Sequence, residues 1–301
     1  MRFVTFRHRG SARAGLLEGN GAGEGDRVVD LVHPALREAL GGVEPQVAAF
    51  FAAGWDAVVA RLRAAAIPDE ARLPLDKVGL LAPLPRPRII HGAAHNYRDA
   101  LAERGMAPLA EPVLFVKHGE TVIGPGEPIV LPAGIGGVTY EAEIAAVIGR
   151  RAWQVSSAEA LAHVGAYAVF NDVSASELIK REGTFDRGKN LATFGPFGPY
   201  LATADEVPDP QALRIGLSAD GVALQDGSTA TMLFSVAELV SILSHRTPLE
   251  PGDVIATGTP AGVAPVRTPP TWLRPGQVLR AWVEGLGVLE SPVVEGPALD
   301  G

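Results

Sequence analysis

Cysteine is absent from this sequence, which removes disulfides, thiolate-ligated zinc and cysteine nucleophiles from consideration. Long apolar runs are absent too; none approaches the roughly 20 residues that a membrane-spanning helix needs. The opening segment Met1-Arg2-Phe3-Val4-Thr5-Phe6-Arg7 carries charge where a secretory signal would carry an apolar stretch, so a cytosolic protein is expected. Positive charge is scarce: 26 Lys and Arg stand against 34 Asp and Glu, giving a formal net charge of -8 and a pI near 5.4. Nothing supplies the basic footprint that nucleic acid or an anionic membrane would require, and neither is expected as a partner. No G-x-S-x-G motif is present to support a nucleophile-elbow serine hydrolase. The glycines at 134–137 do not join a strand to a helix, which argues against a dinucleotide site.

What is present is a chain of 301 residues, 47% hydrophobic and 20% charged, enough for one large domain and a small one. Its 35 Gly and 25 Pro follow no collagen-like period and so read as tight turns between short strands. Residues 1–31 form an expected β unit: Val4 and Phe6 alternate with their neighbours, the pattern resumes at Gly15-Leu16-Leu17, and the Gly19-to-Gly25 stretch turns into Arg27-Val28-Val29-Asp30-Leu31. From Pro34 to about Ala66 the texture is helical, with Val47, Phe50, Phe51, Val58 and Leu62 near helical spacing and breaks at Gly41-Gly42 and Gly54. The run Ala82-Pro83-Leu84-Pro85-Arg86-Pro87-Arg88 cannot be helix and serves as a stiff connector. A boundary is placed there, with a small domain at 1–84 and a larger one at 85–301.

Beyond the connector, short apolar runs alternate with turn signals. Strands are expected at 113–116, 121–123, 140–148, 166–171, 213–217, 254–256 and 278–283, and helices at 157–163 and 235–244. The stretch Thr193-Phe194-Gly195-Pro196-Phe197-Gly198-Pro199 reads as a turn, and the C-terminus as loose. The fold class is α+β, mainly β, with strands in a roll or sandwich.

The strongest chemical signal is Tyr140-Glu141-Ala142-Glu143 leading into Ile144-Ala145-Ala146-Val147-Ile148. Side chains at i and i+2 of a strand share a face, so the two carboxylates lie together. In a partly buried site they repel unless a cation intervenes. Taken alone, the E-x-E pattern is read more readily as an exposed edge with two solvated glutamates. Asp172 shifts that balance: it ends the apolar run Ala166-Tyr167-Ala168-Val169-Phe170-Asn171, a common place for a ligand, although it could instead cap the segment at 174–178. An all-oxygen set suits Mg²⁺, Mn²⁺ or Ca²⁺ far better than zinc. His91 and His95 form an H-x-x-x-H pair that would suggest zinc only on a helix, and Gly92 after an apolar run argues against one. Lys189, in Arg187-Gly188-Lys189-Asn190, could face a bound anion or be an ordinary solvated lysine. Ala256-Thr257-Gly258-Thr259-Pro260-Ala261-Gly262 lets the backbone approach a ligand, or is a plain turn; it lacks the order of a phosphate loop.

In this order the segments resemble the fumarylacetoacetate hydrolase family. The resemblance rests on Asn96-Tyr97-Arg98-Asp99, Pro112-Val113-Leu114-Phe115-Val116-Lys117, Gly124-Pro125-Gly126-Glu127-Pro128-Ile129, Tyr140-Glu141-Ala142-Glu143 and Val147-Ile148-Gly149-Arg150. It continues through Asn171-Asp172-Val173-Ser174-Ala175, Arg187-Gly188-Lys189, Pro251-Gly252-Asp253-Val254-Ile255 and Thr257-Gly258-Thr259-Pro260. It spans about residues 85–292. It implies a mixed β-roll catalytic domain with a small N-terminal α/β domain, usually dimeric, with Mg²⁺ (or Mn²⁺ or Ca²⁺) on Glu141, Glu143 and Asp172. The implied substrates are acylpyruvates and related 2-oxo or 1,3-dioxo acids. Lys189 would face the oxyanion, Thr259 and the backbone at Gly258 would hold the substrate carboxylate, and Tyr97 and Arg98 would line the substrate site.

One departure bears on mechanism. Hydrolytic and decarboxylating relatives often read Asn-Tyr-x-Asp-His-x-x-Glu, a His–Glu dyad able to activate water. Here the histidine position is Ala100, and the glutamate survives as Glu103. His95 is the nearest replacement base, with a structural hydrogen bond as its alternative role. The leading expectation is C–C hydrolysis of a fumarylacetoacetate- or fumarylpyruvate-like acid. Oxaloacetate-type decarboxylation or 2-hydroxy-diene-dioate isomerisation comes second, and binding without turnover third.

Overall fold

The structure, a computed structural model, describes residues 1–19, 21 and 25–299. Its framework is a twelve-stranded sheet. The centre of that sheet is built from Gly195–Thr203, Val164–Asn171, Ala142–Ile148, Val254–Ala256, Ile90–Ala94 and Val113–Lys117, hydrogen-bonded in that order. On the far side of Gly195–Thr203 the sheet continues into Arg2–His8, Ser11–Glu18, Arg27–Asp30 and Arg72–Pro74. Residues on both sides of position 84 therefore share one sheet, and the 82–88 connector contains neither helix nor strand. A second, five-stranded sheet runs Val222–Ser228, Arg214–Ala219, Val278–Val283, Val288–Gly296 and Ile129–Pro132. The mixed, mainly β class expected from the sequence is the class observed.

The large sheet is buried on both faces, and the period-2 alternation of its strands sorts their side chains into two cores. Ile144, Ala146, Ile148 and Val169 join Ile215, Leu217, Leu279 and Ala281 of the second sheet. Ala145, Val147, Ala168 and Phe170 join Phe50, Phe51, Trp55, Val58 and Leu62. The latter residues belong to the helices Val47–Ala52 and Trp55–Ala64, within the segment where helical spacing was expected. Phe51 and Trp55 stack with ring centroids 4.2 Å apart, and the indole N–H donates to the Gly165 carbonyl at 2.9 Å. The result is three layers: helices, large sheet, second sheet. No helix among the described residues is long and apolar enough to cross a membrane.

Two expectations fail here. The stretch expected to turn at 193–199 instead enters a nine-residue, fully buried strand, Gly195–Thr203. Pro199 is tolerated because the ladder with Val164–Asn171 shifts register between Tyr167↔Ala202 and Val169↔Gly198, leaving it inside the irregularity where no amide is needed. The C-terminus is not loose up to residue 296: Val288–Gly296 pairs antiparallel with Val278–Val283 and parallel with Ile129–Pro132. Part of the Gly19-to-Gly25 turn lies outside the described residues.

Trp55→Ala should lower the unfolding free energy by about 3–5 kcal/mol, because it deletes a ring packed in the helical core and opens a cavity there. Urea denaturation measures this; a loss under about 1 kcal/mol would mean that the helices do not anchor the sheet as described.

Candidate functional site

Glu143 lies in the central strand Ala142–Ile148, Glu141 one residue before it, and Asp172 one residue past Val164–Asn171. The two strands are antiparallel with Ala142 opposite Asn171 and Glu143 opposite Phe170. Continuing that register puts Glu141 beside Asp172, whose amide donates to the Glu141 carbonyl at 2.9 Å. Asn171 tightens the corner by accepting the Glu141 amide at 2.9 Å. By strand alternation Glu143 shares a sheet face with Ala145 and Val147, on the side of the helical core. The exposed-edge reading of E-x-E is therefore excluded: the strand is central and buried throughout. One carboxylate oxygen from each of Glu141, Glu143 and Asp172 lies within 4.8 Å of the other two, and Glu143 and Asp172 are 2% and 1% exposed.

Two buried lysines meet these acids. Lys189 Nζ donates to Glu141 Oε2 at 2.8 Å and to Asp172 Oδ2 at 2.5 Å. It also sits 4.7 Å from the centre of the Phe115 ring. Phe115 reaches that position because Gly92, opposite it on the neighbouring strand, has no side chain; a Cβ there would fall 2.1 Å from the ring. Lys117, at the end of Val113–Lys117, donates to Asp172 Oδ1 at 2.9 Å and to the carbonyls of Val173 and Lys189 at 3.2 and 2.5 Å. With all three carboxylates ionised, they and the two ammonium groups would carry one net negative charge in a buried place, which a divalent cation would convert to one net positive charge.

The protonation equilibria follow from this arrangement. Burial pushes the Glu143 carboxyl well above the usual range, and the charges of Asp172 and Glu141 push it further. Burial also raises Glu141, against the pull of Lys189. Burial acts upward on Asp172 as well, but Lys117 and Lys189 together outweigh it and hold that carboxyl low. Burial lowers the Lys117 ammonium despite Asp172. For Lys189, the attraction of Asp172, Glu141 and Glu143 exceeds the effect of burial and raises it. A clustered, oxygen-only donor set with one carboxyl forced upward fits a hard divalent cation such as Mg²⁺, Mn²⁺ or Ca²⁺.

Of the three acids, Glu141 lines a cavity of about 350 Å³. Lys189 lines it too, and Ala94, His95, Ile179 and Phe185 are among its other walls. His95 holds a backbone φ of +60°, rare for a side chain other than glycine and a mark of imposed local geometry. Burial lowers its imidazolium pKa, and the charges of Arg104 and Lys189 lower it further.

The 257–262 loop sits beside the acids because Val254–Ala256 pairs antiparallel with Ala142–Ile148, Ala256 lying opposite Ala145. The Gly258 amide donates to Glu143 Oε2 at 2.8 Å. Glycine is required at 258, since its φ is +91° and a Cβ would lie 2.7 Å from the Ala93 carbonyl. The Thr259 hydroxyl donates to the Ala142 carbonyl and receives Gln225 Nε2, both at 2.8 Å. Asn96 clasps the far side, donating to the Thr257 carbonyl at 2.7 Å and accepting the Phe234 amide at 2.8 Å.

The structure thus gathers Glu141, Glu143, Asp172, Lys189, Gly258 and Thr259, with His95 on the cavity wall. Three expected site residues are not among those lining the cavity. Tyr97 is wholly buried within electrostatic reach of Glu143, burial and that charge both raising its phenol; Arg98 is exposed and donates to the Met232 carbonyl; Glu103 accepts the Gly262 amide at 2.9 Å. Sequence reasoning missed Lys117, whose only signal is a lysine closing an apolar strand, and Gln225, which also accepts the Ala142 amide at 2.9 Å.

Residues 89–294 match the family model for the fumarylacetoacetate (FAA) hydrolase C-terminal domain. A Burkholderia multivorans protein provisionally named a hydrolase, with no substrate in its name, is 45% identical over 238 residues, covering 77% of this chain and 83% of its own. The 2-hydroxyhepta-2,4-diene-1,7-dioate isomerase of Mycobacterium marinum is 28% identical with a TM-score of 0.77, covering 98% of each chain. The maleylpyruvate hydrolase of Sphingobium sp. SYK-6, solved with manganese(II) and pyruvate, is 28% identical with a TM-score of 0.75, covering 98% of this chain and 100% of its own.

Glu143 titrates higher in the folded than in the unfolded chain. Its contribution to stability is therefore present at low pH and is lost as pH rises from the unfolded towards the folded pKa. An ion on these acids must displace that proton. The increase in Tm produced by saturating MnCl₂ should accordingly grow between about pH 5 and pH 8. A shift that is the same across that range would mean that manganese stabilises the protein from another site.

Proposed function

Because the chain belongs to the fumarylacetoacetate hydrolase family, we propose that it is a metal-dependent hydrolase that cleaves a carbon–carbon bond in an acylpyruvate or related 1,3-dioxo acid. The observation carrying this reading is the cluster of Glu141, Glu143 and Asp172, of which Glu141 lines a cavity sized for a small acid. These three carboxylates would hold the ion, with Mg²⁺ as the first choice and Mn²⁺ or Ca²⁺ suited to the same donors. Bound there, a divalent ion would supply the Lewis acidity that favours the enolate form of an oxo acid.

The protein's own groups divide the remaining work. Lys189, fixed by Glu141, Asp172 and the Phe115 ring, presents a preorganised positive charge to an oxyanion forming beside it in the cavity. Gly258 and Thr259 act by holding Glu143 and the Ala142 carbonyl in place rather than by touching substrate. His95 is the candidate base: it lies on the cavity wall, and its surroundings keep the imidazole neutral with a lone pair free. His95 would take one proton from water while the water oxygen adds to the acyl carbon. The C–C bond then breaks with its electron pair on the pyruvate carbon, which takes up a proton to give pyruvate beside a carboxylic acid.

One observation favours a second outcome on the same site. Ala100 stands where a lid histidine would be, and Glu103 is tied to Gly262, so the helix Arg98–Glu103 contributes no water-activating dyad. Decarboxylation and double-bond isomerisation need no activated water. Products separate the three: two acids for hydrolysis, CO₂ for decarboxylation, an unchanged mass for isomerisation.

Assayed with Mg²⁺ or Mn²⁺ against acylpyruvates, the enzyme should release pyruvate, and Glu143→Ala should lower kcat/KM by at least about 10³-fold. Absence of turnover on every oxo acid, with oxalate still bound, would favour a binding protein. His95→Ala should lower kcat by about 10²–10⁴-fold with little change in KM, as loss of a general base does. Unchanged kinetics would return His95 to a structural role.

A further inference from the structure

Ala142 stands between Glu141 and Glu143, and its backbone is held in an unusual way. Alternate residues of an antiparallel strand send their amide and carbonyl to opposite neighbours. The Glu141 carbonyl bonds towards Val164–Asn171, accepting the Asp172 amide, whereas Ile144 and Ile148 bond the other way, to Thr257 and Asp253. Continued, that second register sets Thr259 opposite Ala142. The partner strand has ended at Ala256, however, and Gly258 turns the chain with a φ of +91°.

Two side chains take the place of the missing strand. Gln225 Oε1 accepts the Ala142 amide at 2.9 Å, and Thr259 Oγ1 donates to the Ala142 carbonyl at 2.8 Å. Gln225 Nε2 donates to Thr259 Oγ1 at 2.8 Å and to the Pro260 carbonyl at 3.0 Å. A carbonyl only accepts and an amide N–H only donates, so the carboxamide has one possible orientation and closes the ring of bonds. Gln225 is 3% exposed, while its neighbours in the strand Val222–Ser228 are exposed or half-buried. The ladder slips just before it: Leu217 faces Gln225, but Ser218 faces Ala223, which leaves Leu224 as an extra residue. Such a bulge re-aims a side chain, and the Leu224 carbonyl it displaces accepts from Arg267.

We propose that Gln225 is a positioning residue for the acid cluster: its carboxamide stands in for a strand at Ala142 and so fixes Glu141 and Glu143 relative to each other. The proposal rests on the reading of the three acids as metal ligands and adds what holds two of them in place. Without the carboxamide, the Ala142 amide and the Pro260 carbonyl lose buried partners. The peptide joining the two glutamates is then free to rotate, and both carboxylates move with it. Loss of an outer partner that orients metal ligands costs about 10–100-fold in metal affinity.

The test measures Mn²⁺ binding to the full metal-free chain, by electron paramagnetic resonance of the free ion, for the wild type, Gln225→Met, Gln225→Asn and Leu289→Ala. Gln225→Met and Gln225→Asn should each weaken binding by about 10–100-fold. The asparagine, one methylene shorter, cannot span from the Ala142 amide to the Pro260 carbonyl, and it serves if the methionine variant does not fold. Leu289 is a buried core residue of the same sheet that takes no part in the ring. Leu289→Ala should lower Tm through a cavity and leave manganese affinity unchanged. Wild-type affinity in a folded Gln225 variant, an equal loss in Leu289→Ala, or no manganese binding by the wild type would overturn the proposal. Failure of the hydrolase reading looks different: acylpyruvates would not be converted, while manganese affinity would still depend on Gln225.

Discussion

Three carboxylates within 4.8 Å of one another in the interior of a sheet set the terms for everything around them. A pair of like charges at about 4 Å repels by about 4 kcal/mol at the effective dielectric of a protein site, and burial adds a desolvation penalty to each. Lys117 and Lys189 answer part of this, both converging on Asp172. The Gly258 amide answers another part at Glu143. What these groups leave is a carboxyl pushed upward at Glu143, whose proton a divalent cation would displace on binding to the three oxygens.

The fold makes that crowding tolerable by building it on stiff elements. Glu143 belongs to a strand hydrogen-bonded on both sides, and Asp172 follows directly on the adjoining strand. Lys117 closes an edge strand, and the last residue of a short helix, Lys189, is held partly by Lys117 through its own carbonyl. The same Phe115 that underlies Lys189 packs 5.2 Å from Phe185 on the cavity wall. Charge placement and cavity shape are thus coupled through one aromatic ring, which depends on the missing side chain at Gly92. The small β unit at the start joins the same sheet through Arg2–His8, so the platform extends across the whole chain.

How much of this was readable beforehand depends on the kind of signal. Alternation with a period of two placed Glu141 and Glu143 on one face, and the apolar run ending in Asp172 placed a third acid at a strand end. Both are local patterns. Lys117 escaped notice because Val113-Leu114-Phe115-Val116-Lys117 looks like any strand with a solvated lysine at its tip, and its partners lie 55 residues away or more. The strand at Gly195–Thr203 was hidden by its glycines and prolines, which only a register shift with a specific neighbour accommodates. Thr259 and Gly258 were recognised as site residues, but not that their donors are committed to Ala142 and Glu143. Tyr97 and Arg98 carry the family pattern without facing the cavity. In each case the missing information was a pairing between distant segments.

The reaction that follows depends on which groups reach the cavity, His95 among them. All of it presupposes that the cluster holds a cation. Anomalous diffraction from a crystal of the full chain grown with Mn²⁺ tests this directly. The account predicts a single strong manganese peak coordinated by Glu141, Glu143 and Asp172, at metal–oxygen distances of about 2.1–2.3 Å. No peak there, with the Lys189 ammonium still between Glu141 and Asp172 and manganese bound elsewhere or not at all, would contradict it.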